Sequence, residues 1–268
     1  MTEPVAPPPA PDAPPRPEPP PARRRFVLAR LATAVRRQDW FTVLVEIAVV
    51  VLGVVIGFQV NAWGQDRANA AEERALLVGL RTDMETNLTR IDRFEVHNEN
   101  AIEHARALIA LTGPSPPAVD PATVDSLLVT ALEFELYVPA DGRLDALLAS
   151  GRIGLVQSDS LQGALASWKS IVQAMRGDER RLGDQVYEHV LPYLRDRVPL
   201  LSMDSSTGFL DTPPSRFPRD YGVLLADVRF ENLVEERWVN GHFLLVTLGT
   251  LREATVEILR LIDARLAE

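Results

Sequence analysis

Residues 41–60 read FTVLVEIAVVVLGVVIGFQV, and residues 66–112 beyond them carry no proline and repeat apolar side chains every three or four positions. The first stretch contains one charge, Glu46. At a helical rise of 1.5 Å per residue it spans about 30 Å, the thickness of a bilayer's hydrocarbon core. Trp40 and Trp63 flank it, where indole rings favour the membrane–water interface. These features predict a transmembrane helix over 41–60, with the lipid bilayer as its first partner. The span is expected to stay uncleaved. A secretory signal would have a shorter apolar core nearer the N-terminus, and Val60-Asn61-Ala62 is a poor cleavage site.

Six arginines lie in residues 21–40 and two in residues 61–80. The excess of positive charge on the cytoplasmic side then predicts a cytoplasmic N-terminus, with residues 61–268 across the membrane. Residues 1–25 are expected to be a disordered cytoplasmic tail: 11 prolines fall between Pro4 and Pro21, leaving little apolar surface to bury. Residues 26–40 alternate Phe26, Leu28, Leu31 and Val35 with Arg30, Arg36 and Arg37, and read as a basic amphipathic segment against anionic headgroups.

Residues 61–268 read as one all-α domain. From about Asp66 to Thr112 the stripe Leu77, Leu80, Met84, Ile91, Phe94, Ala101, Ala105 and Leu108 is heptad-like, interrupted by Asn87 and Asn98. Gly113-Pro114 ends this helix. Shorter helices are expected from a cap at Asp120 to about Phe134, over Asp141–Ser150, and from a cap at Ser158 or Asp159. A further one runs from Asp178 to Arg197, kinked at Pro192. Val198 to Asp227, with four prolines, is expected to be a long loop. The last helix, Val228 to Leu266, has a stripe of Phe230, Leu233, Trp238, Leu245, Leu248, Leu251, Ile258 and Ile262. It is predicted to pack antiparallel against the first long helix. No period-two pattern suggests strands.

Composition narrows the chemistry. The chain is 46% apolar and 24% charged, which excludes a wholly disordered or polytopic protein. With no cysteine, thiolate nucleophiles and cysteine-ligated metals are excluded. Residues 61–268 hold 21 basic and 32 acidic residues, an excess of 11 negative charges, which argues against nucleic acid as partner. Lys169 is the single lysine, and no Gly-rich loop precedes it. His97 and His104 share a helical face near Glu99 and Glu103, but as a polar surface rather than a metal centre. No metal or cofactor is expected. There is no HExxH and no G-x-S-x-G, Arg143 and Arg152 read as surface ion-pair partners, and the Asn87-Leu88-Thr89 sequon falls inside a helix.

One constellation has a specific physical rationale. Gly53 and Gly57 form G-x-x-x-G, whose small residues let two helix backbones approach closely. Steps of four and three along the same face reach Glu46, the intramembrane charge. Glu46, Gly53 and Gly57 are therefore the candidate helix–helix association residues, supporting weak homodimerisation through the span or pairing with another membrane protein.

EIAVVVLGVVIGFQVNAW (46–63), DRANAAEERALLVGLRTDMETNL (66–88) and LLASGRIGLVQSDSLQGAL (147–165) together resemble a family of bacterial single-pass membrane proteins defined only as a domain of unknown function. The long Pro-rich N-terminal extension departs from its pattern. The resemblance implies a bacterial inner-membrane location and a periplasmic domain, and it implies no activity. The expected protein is a membrane-anchored, non-enzymatic interaction or scaffold protein with an unidentified protein partner. The alternatives are a ligand-sensing module that relays through the span and an enzyme of unrecognised type.

Overall fold

The structure is a computed structural model that describes residues 40–207, 211–213 and 215–268. The Pro-rich tail and nearly all of the basic segment 26–40 lie outside the described residues. Among the described residues the secondary structure is helical throughout, with no strand. The chain divides into two units at Asp66/Arg67.

The first unit carries the apolar stretch. It lies in helix α1 (Trp40–Leu111), which the absence of proline allows to run unbroken. Its large apolar side chains from Trp40 to Trp63 are exposed, apart from the partly exposed Val43.

In the second unit, residues 67–111 of α1 are joined by α2 (Pro121–Leu132), α3 (Gly142–Ala149), α4 (Asp159–Asp184), α5 (Leu191–Arg195), α6 (Leu200–Thr207), α7 (Tyr221–Leu225) and α8 (Val228–Leu266). Buried residues on α1 step by four and three from Glu73 to Leu108, including every member of the predicted stripe and both asparagines. The same spacing holds on α4 from Leu161 to Leu182. It holds on α8 from Phe230 through Val234, Arg237, Gly241 and Leu244 to Ile262. That corrects the expected α8 stripe, since Leu233, Trp238 and Leu245 are only partly buried. An apolar reading passes over Arg237, Gly241 and Thr255, yet the helical repeat carries these residues inward with their neighbours.

Side chains tie the long helices together. Arg74 donates to the Leu266 carbonyl at 3.0 Å, Arg81 pairs with Asp263 at 2.7 Å, and Thr112 donates to Glu231 at 2.7 Å. Arg252 reaches both Asp92 and Glu95. Trp168 of α4, fully buried, donates its indole N–H to the Thr255 hydroxyl of α8 at 2.9 Å. Burying a large apolar side chain contributes about 1.5–3 kcal/mol, so these packed layers outweigh the partly exposed ion pairs around them.

Three local expectations need correction. Asp120 does not cap α2 with its side chain; Pro121 at the first position lacks an N–H, and the Asp120 carbonyl takes the Thr123 and Val124 amides. The helix expected from Ser158 or Asp159 and the one expected from Asp178 are not separate at that point: packing of Val172, Met175, Glu179 and Leu182 carries α4 through Gly177. The irregularity comes later, as a π turn over Gln185–Val190 just before Pro192. Proline supplies no N–H to the preceding turn and its ring crowds the carbonyl four residues back, so a widened turn accommodates it. The stretch expected to be a loop contains α6 and α7, and α7 buries Tyr221, Leu224 and Leu225. The other helix boundaries follow the sequence signals. The Ser158 side chain accepts from the Leu161 amide, and Gly151, at φ +68°, adopts the left-handed conformation that closes α3.

Candidate functional site

The buried apolar residues form two clusters. On α1 the first runs to Phe94 and the second begins at Ala105; on α8 the second runs to Val234 and the first resumes at Leu244. Between them fall Asn98, Gln185 and Arg237, all buried and polar. Burial of such groups without partners costs free energy, so their bonds need an account.

Asn98 donates to the Phe94 carbonyl at 2.9 Å and Gln185 to the Leu233 carbonyl at 2.8 Å, whereas Arg237, like Asn87 and Glu179, turns to the non-helical segment 133–140, which crosses the bundle between α2 and α3 as a strap. Asn87 holds its far end: Oδ1 accepts the Ala140 amide at 2.7 Å, and Nδ2 donates to the Ala140 carbonyl at 3.1 Å. The Tyr137 hydroxyl also donates to Asn87, at 3.3 Å. Arg90 donates to the Val138 carbonyl at 2.6 Å. From α4, Glu179 accepts the Tyr137 amide at 2.6 Å. From α8, Arg237 donates to the Glu133 carbonyl at 3.3 Å. Three buried heptad positions on three different helices thus hold one strap.

Burial pushes the Glu179 carboxyl above its ordinary range, against the Tyr137 amide and the nearby Arg176 charge. It also pushes the Tyr137 phenol up. Arg237 is the extreme case. Its side chain is 0% exposed, its Nε and Nη1 have no partner, and burial pulls its guanidinium down to about 10. Gly241 makes room for it, since a Cβ there would meet Ile102 at 2.6 Å and Arg237 Nη1 at 2.9 Å.

Phe134, Tyr137 and Pro139 of the strap turn toward the bundle, whereas Leu136 and Val138 are 60% and 66% exposed. A groove of about 660 Å³ lies between the strap and α4, lined in part by Arg176, Arg180, Asp184 and Tyr187. On the α1 side a smaller groove of about 360 Å³ is lined by Arg90, Arg93 and Glu135 among others. The arrangement supplies apolar contact, guanidinium groups and open backbone. It brings no nucleophile beside a base.

The sequence-derived candidates are placed as follows. Glu46, Gly53 and Gly57 all lie on the apolar part of α1, exposed, and a Cβ added at either glycine meets nothing within 4 Å. His104 bonds the Asn100 carbonyl at 2.8 Å, and among the described residues no group of three potential ligands is assembled for a metal. Arg143 pairs with Asp83 and Arg152 with Glu72. Lys169 bridges Asp141 and Asp145 at 2.6 Å each; burial lowers its pKa, but the two carboxylate bonds outweigh this and hold it above the ordinary value, the reverse of a nucleophilic amine.

Local sequence signals do not reveal the strap: they predict helix to about Phe134 and assign nothing to 135–140, whereas the helix ends at Leu132. Its signals were the polar breaks themselves, Asn87 on α1 and Arg237 on α8, sitting in heptad register. Comparison with protein-family profiles, curated proteins and solved structures finds no match to the chain.

Proposed function

We propose that this protein is a single-span, membrane-anchored interaction or scaffold protein without enzymatic activity. Its N-terminus lies in the cytoplasm and its helical domain is periplasmic, on the inner membrane of a bacterium. The observation that carries this reading is the apolar stretch of α1. It is long and apolar enough to cross a membrane, and none of it is buried by the rest of the described chain. Leaving such a surface in water is unfavourable by roughly 25 cal/mol per Å², so it calls for lipid or another helix. The arginine excess before the stretch supports the orientation, and the likeness to single-span bacterial membrane proteins supports the location.

In this reading the domain is an antiparallel coiled-coil-like bundle. The cross-links between α1 and α8 support that, since Arg74, Arg81, Asp92 and Thr112 meet Leu266, Asp263, Arg252 and Glu231 in turn. A ligand-sensing module is the second reading, favoured by the groove between the strap and α4.

Two experiments test the anchor. The full chain should remain with membranes through alkaline carbonate extraction, and a C-terminal reporter that is active only in the cytoplasm should stay silent. Release by carbonate removes the anchor; an active reporter reverses the orientation. The association face is tested separately. Gly53→Ile with Gly57→Ile should abolish crosslinked dimer in native membranes, because the added side chains keep the helix backbones apart. Glu46→Gln should weaken the dimer less, since an amide still hydrogen-bonds. Equal dimer yield in the wild type and the double glycine variant overturns self-association through this face.

A further inference from the structure

We propose that the strap over residues 133–140 is a docking site for an extended, acidic and apolar peptide segment of a partner protein. The inference deepens the interaction reading and rests on it.

The first ground is the strap's open backbone. Tyr137 bonds toward α4, whereas Val138 and Ala140 bond toward α1. Among the described residues, none bonds the N–H or C=O of Leu136 or the N–H of Val138. An extended peptide laid alongside meets those groups with its own main chain, the mode by which strands add to open edges. The backbone that receives it is already held by Asn87, Arg90, Glu179 and Arg237, so little ordering of the site opposes binding.

The second ground is side-chain chemistry. Leu136 and Val138 stand exposed on the crest of the strap, with Tyr187 also exposed across the larger groove. These are the side chains an apolar partner residue would cover.

Charge selects the occupant. Arg90 and Arg93 flank the strap on one side, and Arg176 and Arg180 on the other. The acidic groups facing the same two grooves are Glu135, Glu179 and Asp184. Glu135 pairs with Arg93 at 3.6 Å, and Glu179 is buried and turned to the Tyr137 amide. Arg176 and Arg180 form no ion pair among the described residues, whereas the arginines at 81, 143, 152, 252 and 265 do. In a domain with 11 excess negative charges, the strap is therefore a locally basic margin around an apolar crest. Carboxylates on a partner peptide complement Arg176 and Arg180, which have no ion-pair partner among the described residues, and a basic peptide is repelled by them.

The test uses the full chain in detergent micelles and a labelled peptide of about ten residues alternating Glu with Leu or Val. Fluorescence anisotropy is expected to show saturable binding that weakens as salt is raised. Arg176→Glu with Arg180→Glu should weaken it about tenfold or more, since each 1.4 kcal/mol is tenfold in affinity. Leu136→Asn with Val138→Asn should weaken it similarly. All four side chains are exposed, so circular dichroism and the thermal midpoint should match the wild type. Absence of binding, equal binding of the peptide with Lys in place of Glu, or unchanged affinity in the arginine variant overturns the proposal. Carbonate extraction and the topology reporter, run on the same chain, fail or succeed independently of the peptide.

Discussion

Replacing Asn87 by Leu should lower the unfolding free energy of the detergent-solubilised chain by about 2–5 kcal/mol. In the native structure one amide side chain both accepts from and donates to Ala140, and it also takes the Tyr137 hydroxyl. Leucine fills a similar volume and gains apolar burial, but it leaves the Ala140 N–H and C=O without their partner. An orphaned group costs about 1–3 kcal/mol when fully buried, and these two, being part-buried, lie toward the lower end of that range. For a domain of this size the thermal midpoint should fall by roughly 5–15 °C. Asn87→Asp is the informative companion. It keeps an acceptor for the Ala140 amide, loses the donor to the Ala140 carbonyl, and places a charge beside that carbonyl, so it should be no milder. A thermal midpoint unchanged by Asn87→Leu would mean that the strap is not held through this residue.

Arg237→Met should act in the opposite direction and stabilise the chain by about 1–4 kcal/mol. The guanidinium is fully buried, lacks a carboxylate, and makes one long bond, 3.3 Å to the Glu133 carbonyl. Replacing buried ionic groups with apolar residues of similar shape is often stabilising by that amount, and here no opposite charge offsets the loss of hydration. Methionine is flexible enough to fill the space beside Gly241 that the arginine side chain takes. Chemical denaturation of wild type and variant measures the difference. A loss of several kcal/mol in Arg237→Met would show that the charge is balanced in solution, and Arg237→Lys, which keeps the charge without the planar fork, would then separate charge from geometry.

The two variants also bear on why polar residues occupy the bundle's interior. Asn87 and Glu179 each satisfy backbone groups of the strap, so their burial is accounted for by bonds. Arg237 contributes one weak bond and leaves two nitrogens unpaired. If Arg237→Met stabilises the fold, the arginine is retained for something other than stability, and its place beneath the strap makes peptide binding the property to measure in that variant.

Much of the architecture was legible from residues alone. The apolar stretch 41–60, the α1 stripe from Leu77 to Leu108, the Ser158 cap and the Gly151 terminus are local signals: periodicity and capping act within one or two turns and need no partner to be read. The same locality explains why Glu46, Gly53 and Gly57 could be grouped on one face without knowing what meets them. Reading failed where a distant segment decided the outcome. Leu233, Trp238 and Leu245 look like core by hydrophobicity, yet α8 turns Val234, Arg237, Gly241 and Leu244 inward, because α1 and α4 already fix which face is enclosed. Helices α6 and α7 form within a proline-rich stretch because α7 is buried against the second apolar cluster.

By itself, the sequence determined that the described residues are helical, where the long helices lie, and that one segment is long and apolar enough to cross a membrane. Those properties follow from backbone geometry and the spacing of side chains along a single helix. Only the tertiary structure decided what the buried polar residues do. Asn87, Glu179 and Arg237 are separated by tens of residues, and nothing local relates them. They become one site because three packed helices carry them to the same non-helical strap, whose inward-facing amides and carbonyls are paired by these side chains while its outward-facing ones stay open.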